Sequence, residues 1–154
     1  MDIGSVLAIL GAALAISLTG IGSSIGMCWV QQSTAGLIAE EPEKFGKTMV
    51  FQLIPSSNAL YGFVVGFLVV NKVLFENTPL TMVQGLMILA FCLPIAIVGM
   101  VACLAQAKVC VAGLQMVGKR AELTGRAITM AVFIELFALF ALIVSILGVL
   151  QIPG

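Results

Sequence analysis

Apolar residues do not alternate with polar ones along this chain. They come in four continuous runs, about 4–36, 47–70, 81–117 and 126–151, divided by short polar stretches. A helix needs roughly 20 apolar residues to cross the ~30 Å hydrocarbon layer of a bilayer, and each run meets that length. Membrane β-strands would show alternation over segments of about ten residues, so the runs predict helices. Inside lipid every backbone N–H and C=O needs a partner within the protein, which an uninterrupted helix supplies by itself. The pattern predicts an all-α membrane protein of four transmembrane helices, with almost nothing left over for a soluble domain.

Composition excludes the main alternative. At 61% hydrophobic and 9% charged residues, with a mean hydropathy of +1.21, the chain is too apolar for a soluble domain with a rich core. The first lysine is Lys44, so the opening Met1-Asp2-Ile3 lacks the basic start of a cleavable signal and the first run is expected to remain a span. Zero net charge and the absence of a basic tract give no reason to expect nucleic acid. With no His and no Gly-rich phosphate loop, the chain reads as non-enzymatic and without a cofactor. Cys28, Cys92, Cys103 and Cys110 lie in apolar runs without CxxC spacing and read as small buried thiols.

The basic residues orient the spans. Lys44 and Lys47 fall at the first loop and Lys119, Arg120 and Arg126 at the third, while Lys72 alone falls at the central loop. Loops 37–46 and 118–125 are therefore expected in the cytoplasm, with both termini on the opposite side. Lys108 lies toward the cytoplasmic end of its run, where its long stem can snorkel, and reads as structural.

Laying the second half of the chain, 80–154, over the first, 1–79, brings Gly99 onto Gly20, Glu122 onto Glu43, Gly125 onto Gly46, Arg126 onto Lys47, and Ala138-Leu139 onto Ala59-Leu60. The fixed offset predicts one membrane domain, 1–154, made of two fused hairpins, 1–79 and 80–154, in parallel topology. Small residues at spacings of three and four line the first span of each hairpin: Gly11, Ala15, Thr19, Gly22, Ser23 and Gly26, then Ala96, Gly99, Ala102, Cys103 and Ala105. Such faces let backbones approach closely. Spans two and four carry the bulk, including Phe51, Tyr61, Phe63, Phe67, Phe133, Phe137 and Phe140. That division suits two concentric layers of helices in a ring better than a lone bundle.

One residue breaks both the apolar pattern and the repeat. Glu135 is the only charge between Ala127 and Leu150, and its repeat mate is Ser56. A charge at the centre of a bilayer costs about 2.5–3.5 kcal/mol on insertion scales, so an intramembrane carboxylate is by default an ion or proton site. Counting from Gly125, Glu135 lies about 15 Å into the membrane at a rise of ~1.5 Å per residue. Ser57 and Asn58 stand about three helical turns past Gly46, and Gln106 stands about three turns before Gly118, close to the same level. Pro55 beside them has no N–H for the carbonyl of Phe51. Interhelical hydrogen bonding explains any one of these polar residues, but less easily all of them at one depth.

The stretches GIGSSIG (20–26), EPEKFG (41–46), IPSSNALYGF (54–63), LAQAK (104–108) and FIEL (133–136) resemble the double-hairpin proteolipid, or K subunit, of bacterial V-type rotary ATPases. The resemblance covers essentially the whole chain. It implies a non-catalytic subunit in a bacterial plasma membrane, many copies of which form a rotor ring surrounded by lipid. A stator subunit would face Glu135 with an arginine, and a central-stalk subunit would meet the cytoplasmic loops. For a sodium-type site it implies Glu135, Gln106, Ser57, Asn58 and the backbone carbonyl of Ile54 as ligands, steadied by Tyr61, with Pro55 and Ser56 alongside. Asn58 is one methylene shorter than the Gln of that pattern, and Leu136 stands where a hydroxyl residue often follows the Glu. Na+ is the favoured cargo, because several oxygens suit a hard cation; H+, needing only the carboxylate and one acceptor, is the alternative. A small four-helix proton-coupled antiporter, which usually has its Glu in the first span and no tandem repeat, fits less well. A membrane-bound glutathione-type enzyme, which needs arginines at headgroup level, fits less well still.

Overall fold

A computed structural model of the protein describes residues 2–75 and 79–153; the middle of the central loop and the two end residues lie outside the described residues. Helix α1 (Ile3–Glu40) is the first span. A single 3-10 turn, Pro42–Lys44, leads into the second span, which is built in pieces: α2 (Phe45–Leu53), a 3-10 turn at Ile54–Ser56, α3 (Ser57–Val70) and a π turn at Asn71–Phe75. Helix α4 (Met82–Lys119) is the third span, and after a 3-10 turn at Ala121–Leu123, α5 (Thr124–Gln151) is the fourth. All four spans are long and apolar enough to cross a membrane, and no strand occurs among the described residues. This is an integral membrane protein.

Helix continues further into the loops than the apolar runs do. The first loop narrows from the expected 37–46 to 41–44, and the third from 118–125 to 120–123. Both ends close in the same way, with the Glu41 N–H on the Leu37 carbonyl and the Arg120 N–H on that of Met116. Pro42 then fixes the first break, because its ring cannot continue the helix and biases Glu41 toward extended backbone. At 38 residues each, α1 and α4 are about 57 Å long, well beyond the ~30 Å hydrocarbon layer. Their ends toward the first and third loops are the more polar, with Gln31, Gln32, Gln115 and Lys119. There Lys44 reaches the carbonyl of Gly118 at 2.7 Å and pairs with Glu41 at 2.6 Å, tying the first loop to the last turn of α4.

The layers follow from residue size. Helices α1 and α4 lie against each other along most of their length, while span two and α5 pack on this pair and touch each other only lightly. Glycines set the α1–α4 spacing: a Cβ on Gly22 would stand 2.9 Å from the Met100 carbonyl, and one on Gly11 would stand 2.8 Å from the Leu89 Cα. No flexible side chain is available there to move aside. Outside the pair, Phe63, Phe67, Phe133, Phe137 and Phe140 are exposed, so the outer layer presents a broad apolar surface. Replacing Gly22 with Val is expected to separate α1 from α4 and lower the unfolding free energy in detergent by at least about 1–3 kcal/mol. Thermal melts followed by circular dichroism would register this as a lower midpoint; an unchanged midpoint would mean that the two helices are free to shift apart.

Candidate functional site

Pro55 organises the middle of span two. The helix tightens into the Ile54–Ser56 turn, where the Ile54 carbonyl accepts from the Ser57 N–H and also from the Ser57 hydroxyl, at 2.8 Å. The next carbonyl, that of Pro55, turns the other way and accepts from Ser23 Oγ of α1 and from Cys103 Sγ of α4, each at 2.9 Å. Two inner-layer helices thereby hold one carbonyl of the outer-layer turn. This lock was not legible from the spacing of polar residues alone, since Ser23 and Cys103 read as small packing residues. The available signal was that Cys103 precedes Gln106 by three positions and so shares its face of the helix.

Around that turn, three spans converge on Glu135. Ser57 Oγ lies 2.7 Å from Glu135 Oε1, and Gln106 Nε2 donates to Glu135 Oε2. The Gln106 Oε1 accepts from Asn58 Nδ2 at 2.7 Å. Tyr61 interacts with the side chains of both Glu135 and Ser57. Gln106 and Asn58 are completely buried, whereas Glu135 is partly exposed. Its open side faces a groove of about 280 Å³ on the outer layer, lined by Val50, Leu53, Ile54, Ser57 and Val132. Ser56 is not drawn into this cluster, because its hydroxyl donates to the Leu53 carbonyl of its own helix at 2.6 Å.

Two features of the geometry concern charge. The Ser57 oxygen lies between Glu135 Oε1 and the Ile54 carbonyl, at 2.7 and 2.8 Å. A hydroxyl has one hydrogen and cannot serve two acceptors at once. Three oxygens this close require one more positive centre, which a proton on Glu135 or a small cation can supply. The second feature is that Asn58 Oδ1 is buried without a hydrogen-bond partner. An unpaired buried acceptor costs about 1–3 kcal/mol, so this oxygen is available to a ligand of the site. The donor set of carboxylate, hydroxyl, amide and carbonyl oxygens fits a hard cation.

Fold and site define a class of membrane protein: a carboxyl group held between apolar spans and hydrogen-bonded by side chains from the neighbouring helices. Within that class the chain belongs to the ATP synthase C-subunit family, whose model matches residues 10–69 and 83–148, one stretch in each half. It is 37% identical over 148 residues to V-type sodium ATPase subunit K of Enterococcus hirae, covering 96% of this chain and 93% of that protein. It is also 34% identical over 142 residues to A-type ATP synthase subunit K of Methanocaldococcus jannaschii, covering 92% of this chain and 61% of that longer protein.

The lock on the Pro55 carbonyl can be tested apart from the ion. Cys103→Val leaves Ser23 as a donor and is expected to cost about 1 kcal/mol of unfolding free energy, whereas adding Ser23→Ala strands the carbonyl and raises the loss to about 2–4 kcal/mol. Equal losses for the single and double variants in detergent unfolding would show that the carbonyl does not need these donors.

Proposed function

We propose that this chain is the rotor-ring proteolipid of a V-type ATPase and carries Na+ across the membrane at Glu135. The observation that carries this reading is the Glu135 carboxylate caged between spans by Ser57 and Gln106, beside the unpartnered Asn58 Oδ1. The ion sits among Glu135, Gln106, Ser57, Asn58 and the Ile54 carbonyl. Turning the Gln106 amide end for end brings its Oε1 beside the carboxylate, where it can join the other oxygens around a bound cation. The name of the Enterococcus relative supports sodium as cargo.

Coupling follows from desolvation. A loaded site carries no net charge and can pass through lipid, whereas an empty carboxylate is costly there. Glu135 therefore releases its ion only where the stator offers a half-channel and an arginine, and it reloads before re-entering lipid. The partly exposed edge of Glu135 faces the outer layer, which is the side a stator would touch. ATP is hydrolysed elsewhere in the complex, and this subunit transmits rotation without catalysing it. Loops 41–44 and 120–123 face the cytoplasm, where they meet the central stalk.

Sodium and a carboxyl-directed carbodiimide are expected to compete for Glu135, because the reagent attacks the protonated acid while a bound ion keeps it ionised. Labelling of purified rings, read by mass spectrometry, is expected to slow as sodium rises at fixed pH and ionic strength, with potassium giving little protection. Gln106→Ala is expected to raise the half-protective sodium concentration about tenfold or more, equivalent to a loss of ~1.4 kcal/mol. Labelling that follows pH and ignores sodium would make this a proton site. Glu135→Gln is expected to leave the ring assembled but stop ion-coupled ATP hydrolysis in the holoenzyme, and normal transport by that variant would overturn the site.

A further inference from the structure

The Pro55 carbonyl, held at 2.9 Å by Ser23 and by Cys103, is the next one along the chain from the Ile54 carbonyl, which takes the Ser57 hydroxyl beside Glu135. Packing does not call for these two donors. Close approach of α1 and α4 asks only for small side chains, and the internal repeat shows a place where it is met without them. Carried through the repeat, Ser23 becomes Ala102, Cys103 becomes Ser24 and Pro55 becomes Ile134. Ala102 is buried like Ser23 yet has nothing to donate, and the Ser24 hydroxyl bonds the Gly20 carbonyl of its own helix at 2.8 Å. Ile134 lies inside α5, which runs unbroken from Thr124 to Gln151, so no turn turns its carbonyl outward. Donors and proline turn therefore occur together in one hairpin and are both missing from the other.

Proline makes a hold on one carbonyl a hold on its neighbour. The peptide planes that carry the Ile54 and Pro55 carbonyls are each rigid and meet at the Pro55 Cα, where two torsions set the angle between them. The pyrrolidine ring fixes φ at about −65°, which leaves ψ of Pro55 as the one soft torsion. Two donors from two helices fix the Pro55 plane, and the Ser57 N–H on the Ile54 carbonyl restrains what ψ has left. At any other residue φ could turn as well, and the Ile54 carbonyl could swing while the following carbonyl stayed bonded.

We propose that Ser23 and Cys103 are positioning residues of the ion site: through Pro55 they aim the Ile54 carbonyl, and with it Ser57, at the point beside Glu135 where Na+ is held, and so favour Na+ over H+. The inference rests on the sodium reading above and adds the residues that set the preference. A hard cation is held by several oxygens at once, each within a narrow range of distances. A carbonyl that swings away therefore weakens the cage. A proton binds the carboxylate itself and needs one acceptor at most, so its binding depends little on where the Ile54 carbonyl points.

Two measurements on assembled rings, checked on native gels, test this. One is the sodium concentration that half-protects Glu135 from a carbodiimide at fixed pH, and the other is the pH profile of labelling in sodium-free buffer. Ser23→Ala with Cys103→Val is expected to raise the half-protective sodium concentration about tenfold and to leave the sodium-free pH profile where it was. Cys103→Ser in the Ser23→Ala background puts one donor back and should return half-protection to within about threefold of the unaltered ring. Cys110→Val, the same exchange at another buried position of α4, should move neither measurement. If the double variant does not assemble, the single variants carry the test, since each keeps one donor: a shift of about threefold is expected in each, and no shift overturns the proposal. Labelling that ignores sodium in the unaltered ring overturns the sodium reading and the proposal together. Equal sodium protection in the double variant and the unaltered ring overturns the proposal alone, as does a pH profile that moves by as large a factor as the sodium dependence. The sodium reading then stands, and the two donors serve stability.

Discussion

A carboxylate held between apolar membrane spans is the constraint on which the remaining structure turns. Water cannot solvate Glu135 there, so the protein must supply its partners from other helices, and those helices must come close enough to do so. Ser57 and Gln106 arrive from opposite layers, one on the outer span and one on the inner. Gln106 reaches directly because α4 packs on α5, but Ser57 sits on a span that packs chiefly on α1, so a wider α1–α4 spacing would carry it away from Glu135. The glycines between the inner helices therefore serve the site as well as the packing, because they set how close span two, carried on α1, stands to α5, carried on α4.

The same closeness explains the turn at Pro55. A proline in a membrane helix disturbs the backbone hydrogen bonding, and the disturbed groups need partners that lipid does not offer. Here the need is met by assigning successive carbonyls to different neighbours. The Pro55 carbonyl is held by Ser23 and Cys103, which leaves the Ile54 carbonyl on the side of Ser57 and Glu135. A local irregularity in one span thus becomes a directed set of oxygens. It does so only because two other helices are within hydrogen-bonding distance.

Much of this was legible in the chain because the rise of a helix is fixed. Counting along the helices from Gly46, Gly118 and Gly125 placed Ser57, Asn58, Gln106 and Glu135 at one level, and the structure joins them through direct hydrogen bonds. Rotation about the helix axis is harder to read. Ser56 is adjacent to Ser57 but points about 100° away around the helix, and it bonds its own backbone. The roles of Ser23 and Cys103 depend on which carbonyls a 3-10 turn releases and where they face, which residue spacing does not specify. Helix ends were also set by more than hydropathy, since α1 runs on through Leu37 and Glu40 until Pro42 stops it.

The loss of one carboxylate from a duplicated unit sets a gear ratio. Four spans share a single Glu135, with Ser56 in the other half, so a ring of given circumference carries half the ions per turn that a fully duplicated site would allow. In a rotor working as proposed, the ATP used per turn is fixed by the soluble head. Halving the ions then doubles the work available to each one. Moving a unit charge against 100 mV takes about 2.3 kcal/mol, so each ion can be driven against a gradient about twice as steep. The exchange of one glutamate for a serine trades the number of ions moved for the force behind each.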